Sequence, residues 1–162
     1  METLAPAELS QYELERGKPM PSLKHARIQK KLLRILEQGL GASYEVLPEL
    51  KIILDERSAV PDVAVFKQAN LPVTQTGPDF IAVSNIPITA IEILSPTQVI
   101  AELLEKSRRY FAAGVKSYWL VLPELRGIAV YSELGKYKYF YNGQTLTDPA
   151  TGIEMAVSPL FD

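Results

Sequence analysis

The first half of the chain contains one long stretch with the hydrophobic spacing of an amphipathic helix. In residues 23–38 apolar side chains recur at intervals of three and four, and lysines and arginines gather on the opposite side of the helical wheel. Ser22 can cap the start of this helix, and Gly39 and Gly41 can end it. The predicted apolar face consists of Ile28, Leu32, Leu33, Ile35 and Leu36.

A second helix is predicted to begin at the sequence SPTQ, residues 95–98. Ser95 would cap the helix, Pro96 would take its first position and Gln98 would complete a capping box. The helix would then run to about Ala113. Its predicted apolar face consists of Val99, Ile100, Leu103, Leu104 and Phe111.

The remaining periodic segments are rich in β-branched and aromatic residues, which indicates strands. The predicted strands are SYEVLPELKIIL, PDVAVF, ITAIEIL and SYWLVL, at residues 43–54, 61–66, 88–94 and 117–122. Residues 70–80 read as a loop. Two hairpins are predicted, one turning at Arg16 and Gly17 and the other near Gly135.

The order of these elements predicts a fold of the α/β class. A strand, a helix and a strand across residues 88–122 imply a right-handed parallel crossover, whereas the segments before them suggest antiparallel pairing. A mixed β-sheet with helices on its faces satisfies both. We find no repeat and no long linker, so residues 1–162 are expected to form a single domain.

The amino-acid composition excludes several kinds of catalytic and metal-binding site. The chain has no cysteine and one histidine, His25, which excludes thiolate catalysis, Cys-type zinc sites and a multi-histidine metal site within one chain. The net charge of −2 gives no global field that would attract nucleic acid, so a nucleic-acid surface would have to be a local patch. Neither a signal peptide nor a membrane span is recognised, and we expect a cytoplasmic protein.

Two acidic residues, Asp62 and Glu92, lie within predicted strands among apolar neighbours. A buried, isolated carboxylate is costly, so a compensating group is expected beside each one. If the two strands are neighbours, the carboxylates can converge at one end of the sheet and hold Mg²⁺, which would activate water and stabilise charge on a phosphoryl oxygen. Taken alone, Asp62 could instead cap a turn, and Glu92 could instead pair with a basic side chain.

Lys106 is the candidate cation of such a site. On the second predicted helix it falls at the edge of the apolar face, from which its ammonium could reach the strand ends, whereas Arg108 points away. The alternative is a surface ion pair between Lys106 and Glu102, worth about 0.3–0.5 kcal/mol.

Three motifs, PDVAVF, AIEILSPT and ELLEKSRRYFAAGVKSYWLV, together resemble the restriction-endonuclease-like family of the PD-(D/E)XK nuclease superfamily. The resemblance also covers YELERG and PSLKHARI upstream, and extends over most of the chain. It implies a restriction-endonuclease-like core of the order αβββαβ, a mixed β-sheet flanked by helices, with extra β-hairpins. It further implies hydrolysis of DNA phosphodiester bonds with Mg²⁺ (or Mn²⁺).

The same resemblance assigns roles to residues. Asp62 corresponds to the aspartate of the PD motif and Glu92 to the acidic residue that follows it, both as metal ligands. Leu94 stands where the superfamily lysine would be. The resemblance implies that the lysine comes from the following helix, which matches Lys106, and Glu102 matches an acidic position of that helix.

Several candidates remain open. His25 is either a core or capping group or an orienting group for phosphate or water, and Glu13 is a weaker candidate of the same kind. Lys24, Arg27 and Lys31 form either a solvated face or a phosphate-binding surface. The favoured function is a Mg²⁺-dependent endonuclease acting on DNA as a homodimer. The alternative is a catalytically inactive nucleic-acid-binding or protein-interaction module on the same fold.

Overall fold

A six-stranded mixed sheet forms the centre of the fold in the computed structural model, which describes residues 10–162. In chain order the helices and strands are α1 (Gln11–Arg16), α2 (Leu23–Leu40), β1 (Tyr44–Pro48), β2 (Lys51–Ile53), β3 (Ser58–Ala59), β4 (Val63–Lys67), β5 (Ala82–Val83), β6 (Thr89–Ile93), α3 (Ile100–Ala113), β7 (Ser117–Leu122), β8 (Gly127–Glu133), β9 (Lys136–Tyr141), β10 (Thr145–Asp148), β11 (Ile153–Ala156) and α4 (Ser158–Phe161).

The strand order in the central sheet is β1-β4-β6-β7-β8-β9. Only β6 and β7 pair in parallel, and α3 connects them, whereas the other neighbours are antiparallel. The elements α2, β1, β4, β6, α3 and β7 follow the order αβββαβ. The predicted mixed sheet flanked by helices is therefore confirmed, as is the hairpin of β8 and β9 that turns at Gly135.

Helices α2 and α3 cover opposite faces of this sheet. Because side chains alternate along a strand, β6 directs Ile91 and Ile93 into the core with α2, and Ala90 into the core with α3. Helix α2 buries Ile28, Leu32 and Leu36, as its spacing predicts. The core on the side of α3 contains Leu103, Tyr110, Tyr118, Leu120 and Tyr131.

Two smaller sheets complete the fold. Strands β3, β2 and β5 form one of them, and β10 and β11 form an antiparallel pair. The predicted strand at residues 43–54 is divided between two sheets, because Glu49 has a φ of 49° and interrupts the extended backbone between β1 and β2. Asp148 of β10 is buried, and accepts hydrogen bonds from Ser117 Oγ and Trp119 Nε1, both at 2.7 Å.

The hairpin predicted at the start of the chain is wrong. Residues 11–16 form α1, which begins with a capping box between Ser10 and Glu13 and ends at Gly17 in the left-handed region, with a φ of 70°. The capping box satisfies the first amide groups of the helix, so the local hydrogen bonds favour a helical turn over strand pairing.

The start of the second predicted helix is also wrong. Gln98 does reach back to accept a hydrogen bond from the amide of Ser95 at 3.1 Å, but it closes a turn, and α3 begins only at Ile100. The buried face of α3 consists of Leu103, Ser107 and Tyr110, so the predicted apolar face is only partly correct, since Val99, Ile100 and Leu104 are exposed.

Candidate active site

The sheet brings the two strand carboxylates together. Strands β4 and β6 are adjacent and antiparallel, with Val63 opposite Ile91, so one further step of the register places Asp62 opposite Glu92. The two strands are therefore neighbours, which is the condition for a shared site. The amide of Ile93 donates a 2.7 Å hydrogen bond to Oδ2 of Asp62, which fixes the orientation of this carboxylate.

The ammonium group of Lys18 lies between the two carboxylates. Its Nζ is 2.6 Å from Oδ1 of Asp62 and 3.2 Å from Oε2 of Glu92. Both acids are fully buried, and the lysine side chain is only 2% exposed. Lysine and acidic residues are rarely buried this deeply unless they are paired, so these three groups compensate one another's charge.

Helix α3 supplies the partners of the other oxygen of Glu92. The hydroxyl of Tyr110 donates a 3.2 Å hydrogen bond to Oε1, and Nζ of Lys106 lies 3.9 Å from the same atom. The Lys106 side chain is 19% exposed, so its ammonium faces both the carboxylate and solvent. Arg108 points away, as the helical spacing predicts, and its Nε lies 3.5 Å from Oε1 of Glu105.

Helix α2 contacts Asp62 from the opposite face of the sheet. Nε2 of His25 lies 3.1 Å from Oδ1 of Asp62, but the ring is not oriented for a hydrogen bond, and within residues 10–162 neither ring nitrogen has a hydrogen-bond partner. Gln29 donates a 2.8 Å hydrogen bond to the carbonyl of Asp62. Helix α2 therefore contacts both the side chain and the backbone of Asp62.

The two carboxylates differ in their affinity for protons. Burial alone would raise the pKa of Asp62, but His25, the charge of Lys18 and the amide of Ile93 together hold this pKa well below its ordinary value. Burial raises the pKa of Glu92, the charge of Asp62 adds to the rise, and Lys18 and Lys106 oppose it. Of the two carboxylates, Asp62 is consequently the one that is held more firmly in its ionised form.

The two other acidic candidates, Glu102 and Glu13, are not part of the carboxylate pair. Glu102 is exposed on α3. Glu13 accepts hydrogen bonds from the amides of Ser10 at 2.8 Å and Met20 at 2.9 Å, and so holds the chain between α1 and α2 in place. That chain carries Lys18.

The basic residues of α2 line an open hollow of about 680 Å³. Lys24, Arg27 and Lys31 contribute to its wall, as does Arg126 from the start of the β8 hairpin. A second hollow of about 400 Å³ shares Lys24 with the first and reaches His25. The two hollows therefore adjoin at Lys24, which is itself paired with Glu124 at 3.0 Å, and the second one extends to His25, whose Nε2 lies 3.1 Å from Asp62.

Sequence reasoning missed two members of the site, Lys18 and Tyr110. Tyr110 is not among the predicted apolar residues of the second helix, and nothing in its spacing marks its hydroxyl as a partner of Glu92. Lys18 follows a glycine in a proline-rich stretch, where no periodicity places it. The only signal was indirect: two buried carboxylates require more than one compensating cation.

Within the described residues, no group of three or more His, Asp or Glu side chains is arranged to hold a metal ion. No helix in residues 10–162 is both long enough and apolar enough to cross a membrane.

The fold is that of the restriction-endonuclease-like class. The family model Uma2, described as "Putative restriction endonuclease", matches residues 2–158, and the chain belongs to this family. Among solved structures it is similar to one described as a putative nuclease belonging to DUF820 from Anabaena variabilis, with 24% identity and a TM-score of 0.78. That match covers 88% of this chain and 83% of the other. No curated protein matches the chain.

Proposed function

We propose that this protein is a Mg²⁺-dependent nuclease that hydrolyses phosphodiester bonds of DNA, with Asp62 and Glu92 as metal ligands. The observation that carries the proposal is the convergence of two fully buried carboxylates on one cation, the ammonium of Lys18. Membership of a family described as restriction endonucleases supports the same reaction class.

The donor set fits Mg²⁺ or Mn²⁺. Both are hard cations that bind oxygen, and Mg²⁺ is usually held by one or two carboxylates together with waters and substrate phosphate oxygens. Among the described residues the site offers two carboxylates and no group of three ligating side chains, which matches that pattern. When bound, the metal would activate a water molecule and stabilise negative charge on the phosphoryl oxygens.

The other residues position these groups. Lys106, 3.9 Å from Glu92 and partly open to solvent, would stabilise the charge that develops on the phosphate. Tyr110 orients Glu92 through its hydroxyl, and the amide of Ile93 orients Asp62. His25 would orient phosphate or water, since it lines the hollow beside the site, its Nε2 lies 3.1 Å from Oδ1 of Asp62, and neither ring nitrogen has a hydrogen-bond partner among the described residues.

The positive face of α2 supports binding of a DNA backbone. Arg27, Lys31 and Arg126 line the larger hollow, and the smaller hollow connects it with the side of His25. Lysine and arginine contacts to phosphates give affinity without sequence specificity, and this affinity falls as salt rises. Glu102 is exposed on α3, and we assign it no part in this DNA-binding surface.

A homodimer is part of the proposal, because two sites cut both strands of a duplex most simply. The edge of the central sheet is a candidate interface. Within residues 10–162 no strand pairs with the outer side of β9, which exposes Tyr137 and Tyr141. Exposed edge strands are ready to pair with another chain.

The alternative is a catalytically inactive nucleic-acid-binding or protein-interaction module. One observation favours it: Lys18 already compensates both carboxylates, so the buried charge has a partner without any metal. Cleavage separates the two functions, because only the nuclease requires Asp62 and Glu92 to contact the substrate through a metal.

The test is incubation of supercoiled plasmid, single-stranded DNA and RNA with the wild type, Glu92→Gln and the matched control Glu105→Gln, each with Mg²⁺, Mn²⁺ or EDTA. Glu105 is an exposed glutamate of α3. We expect metal-dependent cleavage by the wild type and the control, and at least a hundredfold loss in Glu92→Gln. Absence of cleavage of every substrate by the wild type would favour the inactive module.

A further inference from the structure

The cation position between Asp62 and Glu92 is filled by a group from the chain itself. Lys18 Nζ approaches one oxygen of each carboxylate, at 2.6 Å and 3.2 Å, and the lysine side chain is almost completely buried. Lys106 approaches only Glu92, from farther away and with partial exposure to solvent. The two lysines therefore differ in kind: Lys18 bridges the carboxylates, whereas Lys106 lies beside one of them.

An ammonium in this position competes with a divalent cation. A divalent ion held by Asp62 and Glu92 would need the same carboxylate oxygens as the ammonium, and the repulsion between the two cations at contact distance would be strong in a region of low dielectric. Such an ion would carry twice the charge of an ammonium, and the bridge formed by Lys18 would have to open to admit it.

The chain that carries Lys18 has a local structure that delivers the side chain to the site. Gly17 ends α1 in the left-handed region, and the amide of Lys18 donates to the carbonyl of Glu13 at 3.2 Å. The carboxylate of Glu13 accepts from the amide of Met20. We call residues 17–21, between α1 and α2, the lysine loop.

We propose that Lys18 is the built-in counter-cation of the metal-free site, and that a divalent metal displaces it and rearranges the lysine loop. This inference rests on the metal site of the proposed function. The displaced ammonium would remain close to the metal, where a substrate phosphate offers it a new partner. Metal and nucleic acid would then bind cooperatively, because each ligand lowers the free energy that is needed to separate Lys18 from the two carboxylates.

Calorimetric titration with Mn²⁺ tests the competition directly. The proteins are the wild type, Lys18→Met and the control Lys30→Met, which removes an exposed lysine of α2 and so corrects for the loss of one positive charge. We expect Lys18→Met to bind Mn²⁺ at least tenfold more tightly than the wild type, and Lys30→Met to agree with the wild type within about twofold.

Each other outcome is decisive. Equal affinity in the wild type and Lys18→Met, or weaker affinity in Lys18→Met, would overturn the competition and leave the metal site standing. If Lys18→Met binds no Mn²⁺ while it remains folded, the metal site itself is wrong, and the proposed function fails with it.

A measurement on the wild type avoids dependence on a variant that leaves two buried carboxylates without their bridge. Hydrogen exchange of the lysine loop is followed without metal and at saturating Mg²⁺, with Glu92→Gln as the control. We expect the amides of Lys18 and Met20 to exchange at least tenfold faster with Mg²⁺ in the wild type only. Unchanged exchange in a wild type that binds Mg²⁺ would overturn the displacement of Lys18.

Discussion

Replacement of Lys18 by methionine should destabilise the metal-free protein strongly. The ammonium lies 2.6 Å from Asp62 and 3.2 Å from Glu92. With an effective dielectric of about 20, these separations correspond to attractions of about 6 and about 5 kcal/mol. The desolvation of three buried groups offsets most of this energy in the wild type, but Lys18→Met removes the attraction and leaves the carboxylates buried.

The expected net cost of Lys18→Met is about 3–5 kcal/mol, the range found when one partner of a buried ion pair is removed. Uptake of a proton by Glu92, whose pKa is raised by burial, would bring the cost toward the lower limit. A chain of 162 residues loses about 2–4 °C in Tm per kcal/mol, so Tm should fall by roughly 6–20 °C.

The assay is urea and thermal unfolding in the presence of EDTA, with Lys30→Met as the control. Lys30 is exposed on α2, and its replacement should change the free energy of unfolding by no more than about 0.5 kcal/mol. If Lys18→Met proves as stable as Lys30→Met, the lysine does not compensate the buried carboxylates, and our account of the metal-free site is refuted.

Three further predictions concern Lys106, Glu92 and Arg27. Lys106→Met should fold normally and lose roughly a hundredfold in cleavage rate, whereas Arg108→Met should cleave like the wild type; equal rates for the two variants would remove Lys106 from the mechanism. Burial raises the pKa of Glu92, so its contribution to stability is present below the unfolded pKa of 4.5 and is lost as pH rises through the folded value. Glu92→Gln should therefore gain stability relative to the wild type as the pH rises above 4.5 in metal-free urea titrations, and a constant difference would contradict this sign. Arg27→Met should reduce the slope of log K against log salt for duplex DNA by about 0.9, and an unchanged slope would place the DNA elsewhere.

The order of the core elements could be predicted from the sequence because each part of the pattern has a local cause. Residues 23–38 carry a helical repeat next to a capping serine, and β6 and β7 are continuous runs of strand-forming residues. The errors arose where a local signal fits two structures. Gly17 ends a helix as readily as it turns a hairpin, and Gln98 closes a turn with the contact that a capping box would use.

The carboxylate pair could be predicted from the sequence, but the side chains that balance its buried charge could not. Asp62 and Glu92 stand out as acids among apolar neighbours within strands, and adjacent strands bring them together. Asp148 is just as deeply buried, yet it is satisfied by Ser117 and Trp119, and no sequence pattern distinguishes its role from that of Glu92. Partners distant in sequence decide the difference, and Lys18 is such a partner, separated from Glu92 by 74 residues.

The most direct test of the central claim is the single-turnover rate of DNA cleavage as a function of Mn²⁺ concentration for the wild type and Glu92→Gln. Glutamine preserves the shape of the side chain and removes the charge that would bind metal. We predict that the rate of the wild type rises with Mn²⁺ to a plateau, and that Glu92→Gln stays at least a hundredfold below it at every concentration. Cleavage by Glu92→Gln at the wild-type rate, or no cleavage by the wild type at any concentration, would contradict the assignment of Asp62 and Glu92 as a nuclease metal site.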